Sequence, residues 1–145
     1  MNPEGAPTIL LVDDDLLHSQ ALSRILEQAG YQVGAASDGQ KALTLLSQER
    51  FDLVITDLRM PRMHGLDLLR SIQAMSLEVA VVVLTAHGEW TTYLNAMNSG
   101  AVDYLNKPVR RQDILMTIRK ALARRGIRAP NSPPAASEES GDAPA

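Results

Sequence analysis

The feature that most constrains this chain is an alternation, from Thr8 onward, of short apolar runs with segments whose apolar residues recur at helical spacing. That pattern is expected of a parallel sheet, because each crossover carries a helix and the helices cover both faces. The runs Ile9 to Val12, Gln32 to Ala36, Leu53 to Thr56, Val79 to Leu84 and Val102 to Leu105 predict five strands. Between the first two, Leu16, Leu17, Ala21, Leu22, Ile25 and Leu26 predict a helix that Gly30 stops. Asp38 is placed to cap a second helix carrying Ala42, Leu43, Leu45 and Leu46. Leu66, Leu68, Leu69 and Ile72 mark a third; Tyr93, Leu94, Ala96 and Met97 a fourth; Ile114, Leu115, Ile118, Ala121 and Leu122 a fifth. Right-handed crossovers leave few arrangements, and an open, doubly wound α/β sheet is the natural one. In such a sheet, function gathers at the carboxyl ends of the strands, where strand order reverses.

At 145 residues, 45% of them hydrophobic, the chain is expected to fold as one domain over 8–126 after a flexible start at 1–7. The stretch from Ile127 to Ala145 holds four prolines and five alanines, and Ile127 is its only large apolar residue. It reads as a disordered tail or truncated linker, since it buries too little to offset its ordering entropy. A net charge of −3 gives no global field favouring nucleic acid or an anionic membrane. The absence of cysteine excludes disulfides, zinc–thiolate sites and thiol catalysis. Met1 to Pro7 shows no signal peptide, and runs such as Val79 to Leu84 are too short to cross a bilayer. A soluble cytoplasmic protein is expected.

Polar residues follow four of the strands: Asp13 and Asp14, then Asp57, Thr85 and Lys107. Each alone has a plainer reading. Asp13 to Asp15 suit a helix N-terminus, Asp57 a turn before Met60 and Pro61, Thr85 a cap, and Lys107 a solvated surface. Together they would meet at one sheet edge. Carboxylates gathered in one pocket repel unless a cation sits among them, and an acidic set without His or Cys at ligand spacing suits Mg2+. A carboxylate beside such an ion can attack phosphorus. An ammonium and a hydroxyl would then stabilise the charge spread over the phosphoryl oxygens.

Four segments carry a resemblance to a known family: Ile9-Leu-Leu-Val-Asp-Asp-Asp15, the run from Asp52 to Gly65, Val82-Val-Leu-Thr-Ala86, and the run from Gly100 to Pro108. From about Thr8 to Arg125 the chain resembles the receiver domains of two-component response regulators. The resemblance implies a flavodoxin-like fold with strand order 2-1-3-4-5 and a phosphoacceptor at Asp57, served by a sensor histidine kinase or phosphotransfer protein. It implies Mg2+ held by Asp13, Asp14, Asp57 and the backbone carbonyl of Arg59, with Asp14 favoured over Asp13 as direct ligand. Thr85 and Lys107 would contact the phosphoryl group, Lys107–Pro108 would be cis, and Tyr104 would be the switch aromatic. As Thr85 moves toward a phosphoryl group, the ring of Tyr104 would turn into the vacated space and alter the surface of the fourth helix, fifth strand and fifth helix.

That surface would serve partner binding or a homodimer. Seven basic residues from Arg110 to Arg128 either complement a helix C-terminus or form a face for a dimer mate or acidic partner; direct DNA contact is not expected. Two alternatives remain beside the phosphorylated receiver: a phosphorylation-independent interaction module, and a small enzyme or flavin carrier on the same fold. The intact acid, hydroxyl and ammonium set argues against the module. Arg59 stands where a phosphatase would need a second acid, and three acids after the first strand would repel a flavin phosphate. Arg59 and His87 are expected to flank the mouth of the site, whereas His18 and His64 carry no partner pattern and read as surface residues. If Arg59 shields a phosphoryl group from water, Arg59→Ala will lose phosphate faster than the wild type; unchanged kinetics of loss would refute the shield.

Overall fold

The computed structural model describes residues 5–58, 65–86 and 95–130. Five strands, β1 (Thr8–Val12), β2 (Gln32–Ala36), β3 (Leu53–Asp57), β4 (Ala80–Thr85) and β5 (Asp103–Asn106), form one parallel sheet in the order β2-β1-β3-β4-β5. The helices are α1 (Leu16–Gln28), α2 (Gly39–Gln48), α3 (Gly65–Ala74), α4 (described over residues 95–98) and α5 (Arg111–Arg124). The doubly wound architecture and strand order match the expectation. Tyr93 and Leu94, expected on the fourth helix, lie outside the described residues, as does 131–145 of the expected tail.

Period-two alternation divides the central strands between two cores. Leu10, Val12, Val54, Val81 and Val83 face one side, under Ala42, Leu46, Leu68, Leu69, Ile72 and Ala96 of α2, α3 and α4. Ile9, Leu11, Leu53, Ile55, Val82 and Leu84 face the other, under Leu22 and Leu26 of α1 and Ile114, Ile118, Ala121 and Leu122 of α5. Because both faces are covered, every residue of β3 and β4 is buried, which is why these strands read as unbroken apolar runs.

Local chemistry sets where the helices begin and end. Asp15 caps α1 by accepting from the backbone N–H of His18, and Asp38 caps α2 by accepting from that of Lys41. After α1 the chain turns at Gly30 with φ +100°, a conformation costly for any residue with a Cβ, so Tyr31 enters the core at once. Three of the basic residues near α5 are anchored: Arg125 donates to the Asp52 carbonyl, Arg124 to the Val102 carbonyl and Arg111 to the Gln28 side chain. These bonds tie α5 to the starts of strands and to α1. Packing continues past the expected limits at 8 and 126. Gln32 donates to the Ala6 and Pro7 carbonyls, while Ile127 and buried Ala129 lie on the α1–α5 core. Among the described residues no helix is long and apolar enough to cross a membrane.

Burial raises the Tyr31 phenol above its ordinary value of 10.0, and the nearby Arg119 charge only partly offsets this. The folded chain therefore holds the phenolic proton more tightly than the unfolded chain. This contribution to stability is complete below pH 10 and is lost as pH rises through the elevated folded value. Urea unfolding measured on either side of pH 10 should show a smaller alkaline loss for Tyr31→Phe than for the wild type; identical slopes would show that burial does not perturb this group.

Candidate functional site

Register places the polar residues. β1 and β3 pair with Val12 opposite Thr56, so Asp13 and Asp57, each next in sequence, arrive side by side at the carboxyl edge. This is where strand order reverses, β1 leading outward to β2 and β3 to β4. On the other flank Asp57 pairs with Leu84, which sets Thr85 one step beyond. The N–H of Lys107 donates to the Thr85 carbonyl over 2.7 Å, carrying Lys107 to the same edge, and the Lys107–Pro108 peptide is cis.

Carboxylate oxygens of Asp13, Asp14 and Asp57 all lie within 4.8 Å of one another. Asp13 and Asp57 are buried, at 6% and 8% exposure, while Asp14 is exposed. Lys107 Nζ lies 2.9 Å from Asp57 Oδ2 and 3.9 Å from Asp13 Oδ2. Among the described residues, the Lys107 ammonium pairs with two of these three carboxylates, leaving an excess of negative charge that a divalent cation would neutralise. The donor set is all oxygen, and Asp14 gives it an open side, the chemistry that suits a hard ion retaining several waters. A cavity of about 550 Å³, lined by Asp13, Asp14, Leu16 and Lys41 among others, opens beside the acids.

Thr85 is buried at 7% exposure, and Tyr104 is half-buried against the core beneath α2, α3 and α4. Tyr104 sits opposite Val83 on β4, two residues before Thr85, so the hydroxyl and the ring belong to neighbouring strands close to one end. Arg59, His64 and His87 lie outside the described residues.

Two residues acquire roles that spacing alone did not suggest. His18, expected to be a plain surface residue, hydrogen-bonds through Nδ1 to Asp13 Oδ2. Gly65 opens α3 where a Cβ would lie 2.5 Å from the Asp57 carbonyl oxygen and 2.8 Å from Leu58 Cα, and its N–H donates to the Leu58 carbonyl. Only a residue without a side chain lets α3 approach the end of β3 this closely. The contact is with backbone, so the neighbour has little room to yield.

Residues 9–119 match the model of the response regulator receiver domain. Among curated proteins, the chain is 39% identical over 115 residues to the transcriptional regulatory protein ZraR of Escherichia coli K12, covering 79% of this chain and 26% of that one. It is 37% identical over 116 residues to the response regulator MprA of Mycolicibacterium vanbaalenii, covering 80% of this chain and 50% of that one. The chain therefore spans between a quarter and a half of the length of these relatives. Among solved structures, a receiver domain from Clostridium thermocellum superposes with TM-score 0.78 at 36% identity, covering 83% of this chain and 97% of that one. A CheY-like receiver domain from Methanospirillum hungatei gives 0.79 at 29% identity, with coverage of 83% and 97%.

Gly65→Ala is expected to cost about 1–3 kcal/mol, the usual range for a methyl forced into a packed site. Urea unfolding measures it. A loss within error of zero would mean that α3 can move off β3 freely.

Proposed function

Since this chain belongs to the response regulator receiver family, we propose that it is a Mg2+-dependent phosphoacceptor in which Asp57 takes a phosphoryl group from a phosphohistidine. The observation that carries the reading is the meeting of three carboxylates from two strand ends with the Lys107 ammonium at the edge where strand order reverses. The donor in the cell would be a sensor histidine kinase or a phosphotransfer protein, and the compartment the cytoplasm.

Asp13, Asp14 and Asp57 would hold the ion, joined by the backbone carbonyl of Arg59. When bound, Mg2+ supplies positive charge that lets a carboxylate and a phosphoryl group approach each other. An Asp57 carboxylate oxygen attacks phosphorus, the bond from phosphorus to the donor nitrogen breaks, and its electron pair leaves with the imidazole. Lys107, held at the site by its ion pair with Asp57, follows the negative charge onto the phosphoryl oxygens. The Thr85 hydroxyl donates to another of those oxygens.

Movement of Thr85 toward the phosphoryl group would free space for the half-buried Tyr104 ring, and the surface of α4, β5 and α5 would change with it. That surface is where a partner or a second copy would bind. Arg110, Lys120 and Arg128 add positive charge to the α5 end of the chain, and direct contact with DNA is not part of this reading. A receiver-like module that works without phosphorylation is the alternative that the experiment below must exclude.

Incubation with Mg2+ and acetyl phosphate should add one phosphoryl group, seen by intact mass, that needs the ion and is absent from Asp57→Ala. Lys107→Ala should still bind Mg2+ but accumulate the adduct more slowly. Failure of the wild type to form any adduct while binding Mg2+ would sink the phosphoacceptor reading in favour of the module.

A further inference from the structure

We infer that His18 is a positioning residue for the ion site, holding the Asp13 carboxylate in the orientation that the cation needs and leaving Lys107 to Asp57. The inference rests on the Mg2+-dependent reading above and concerns a residue outside the acid, hydroxyl and ammonium set.

A carboxylate oxygen can only accept, so the short contact between His18 Nδ1 and Asp13 Oδ2 requires the proton on Nδ1. Asp13 is otherwise bound at its second oxygen, Oδ1, which accepts from the backbone N–H of Asp15 over 2.9 Å. Both oxygens of a side chain that is 6% exposed are therefore engaged, and the rotation of the carboxylate is set from two directions. The geometry at His18 is equally determined. Asp15 caps the start of α1 by accepting from the His18 backbone N–H, and the first turn then directs the imidazole back over the end of β1. The His18 side chain, 26% exposed, reaches the buried acid from α1, whereas Lys107 comes from the residue after β5.

Among the described residues, removal of the imidazole would leave Lys107 Nζ, 3.9 Å from Asp13 Oδ2 and now bonded to Asp57 at 2.9 Å, as the ion-pair donor within reach of that oxygen. A buried acceptor that loses its partner draws in whatever donor can reach it. The ammonium would shift from Asp57 toward Asp13, and the freed Asp13 carboxylate would turn with it. Both movements spoil the negative pocket facing the ion. Loss of a group that orients a metal-binding side chain through a hydrogen bond commonly costs about ten- to a hundredfold in metal affinity or activity.

Calorimetric titration with MgCl2 tests this on the full chain, with each variant's thermal transition recorded to establish that it is folded. His18→Ala should weaken Mg2+ binding about tenfold, the lower end of what loss of an orienting partner costs. His18→Asn should recover most of the affinity, because its amide nitrogen lies as many bonds from Cα as the imidazole Nδ1 and donates to the same oxygen. In an Asp13→Ala background, His18→Ala should have no further effect. Wild-type or tighter affinity in His18→Ala would overturn the inference while leaving the Mg2+ reading intact, as would an asparagine variant no better than alanine or an additive double variant. Absence of Mg2+ binding by the wild type would overturn both.

Discussion

The pairing of β1 with β3 is the constraint on which the rest of the site depends. Parallel strands in register bring their carboxyl ends level, and Val12 opposite Thr56 leaves Asp13 and Asp57 nowhere to go but beside each other. A slip of one residue would turn every side chain of one strand to the opposite face and bury the wrong set beneath the helices. The two hydrophobic cores therefore hold the acids in place. Leu10 and Val12 commit β1 to one side and Ile9 and Leu11 to the other, and the same division in β3 and β4 repeats the commitment.

Gathering three carboxylates is electrostatically unfavourable, and the fold answers with donors from different elements. Lys107 approaches from β5, the Asp15 N–H from the start of α1, and His18 from the first turn of the same helix. None of these removes the excess charge, since Asp14 remains exposed and unneutralised by any of them. A small cation would neutralise a pocket left in that condition. The close seat of α3 against Asp57 at Gly65 acts at this same carboxyl end, limiting how far the end of β3 can shift.

Thr85 and Tyr104 extend this arrangement outward. The register of β4 on β3 fixes Thr85 relative to Asp57, and that of β5 on β4 fixes Tyr104 relative to Thr85. In the proposed switch, a change at Asp57 would reach the α4, β5 and α5 surface through these two strand steps. Arg124 and Arg125 serve a different purpose from the one their charge first suggests: both donate to backbone carbonyls at the opposite edge of the sheet, and so anchor α5.

The layers were legible in the chain, as was the placing of Asp13, Asp14, Asp57, Thr85 and Lys107 at strand ends. The layers depend on period and local chain chemistry, namely apolar runs for buried strands, helical spacing for the covering faces, Asp38 as a cap and Gly30 as a stop, whereas the strand order came from the resemblance to the family. How the groups engage one another depends on contacts made after the elements have packed. His18 has no pattern in the chain that marks it, because its partner lies five residues back across a helix start and the contact exists only once Asp15 has capped α1. Packing of Ile127 and Ala129 was equally illegible, since a segment rich in proline and alanine has too little apolar surface to announce its burial. Local spacing records which face a residue occupies; it does not record which donor from another element will arrive there.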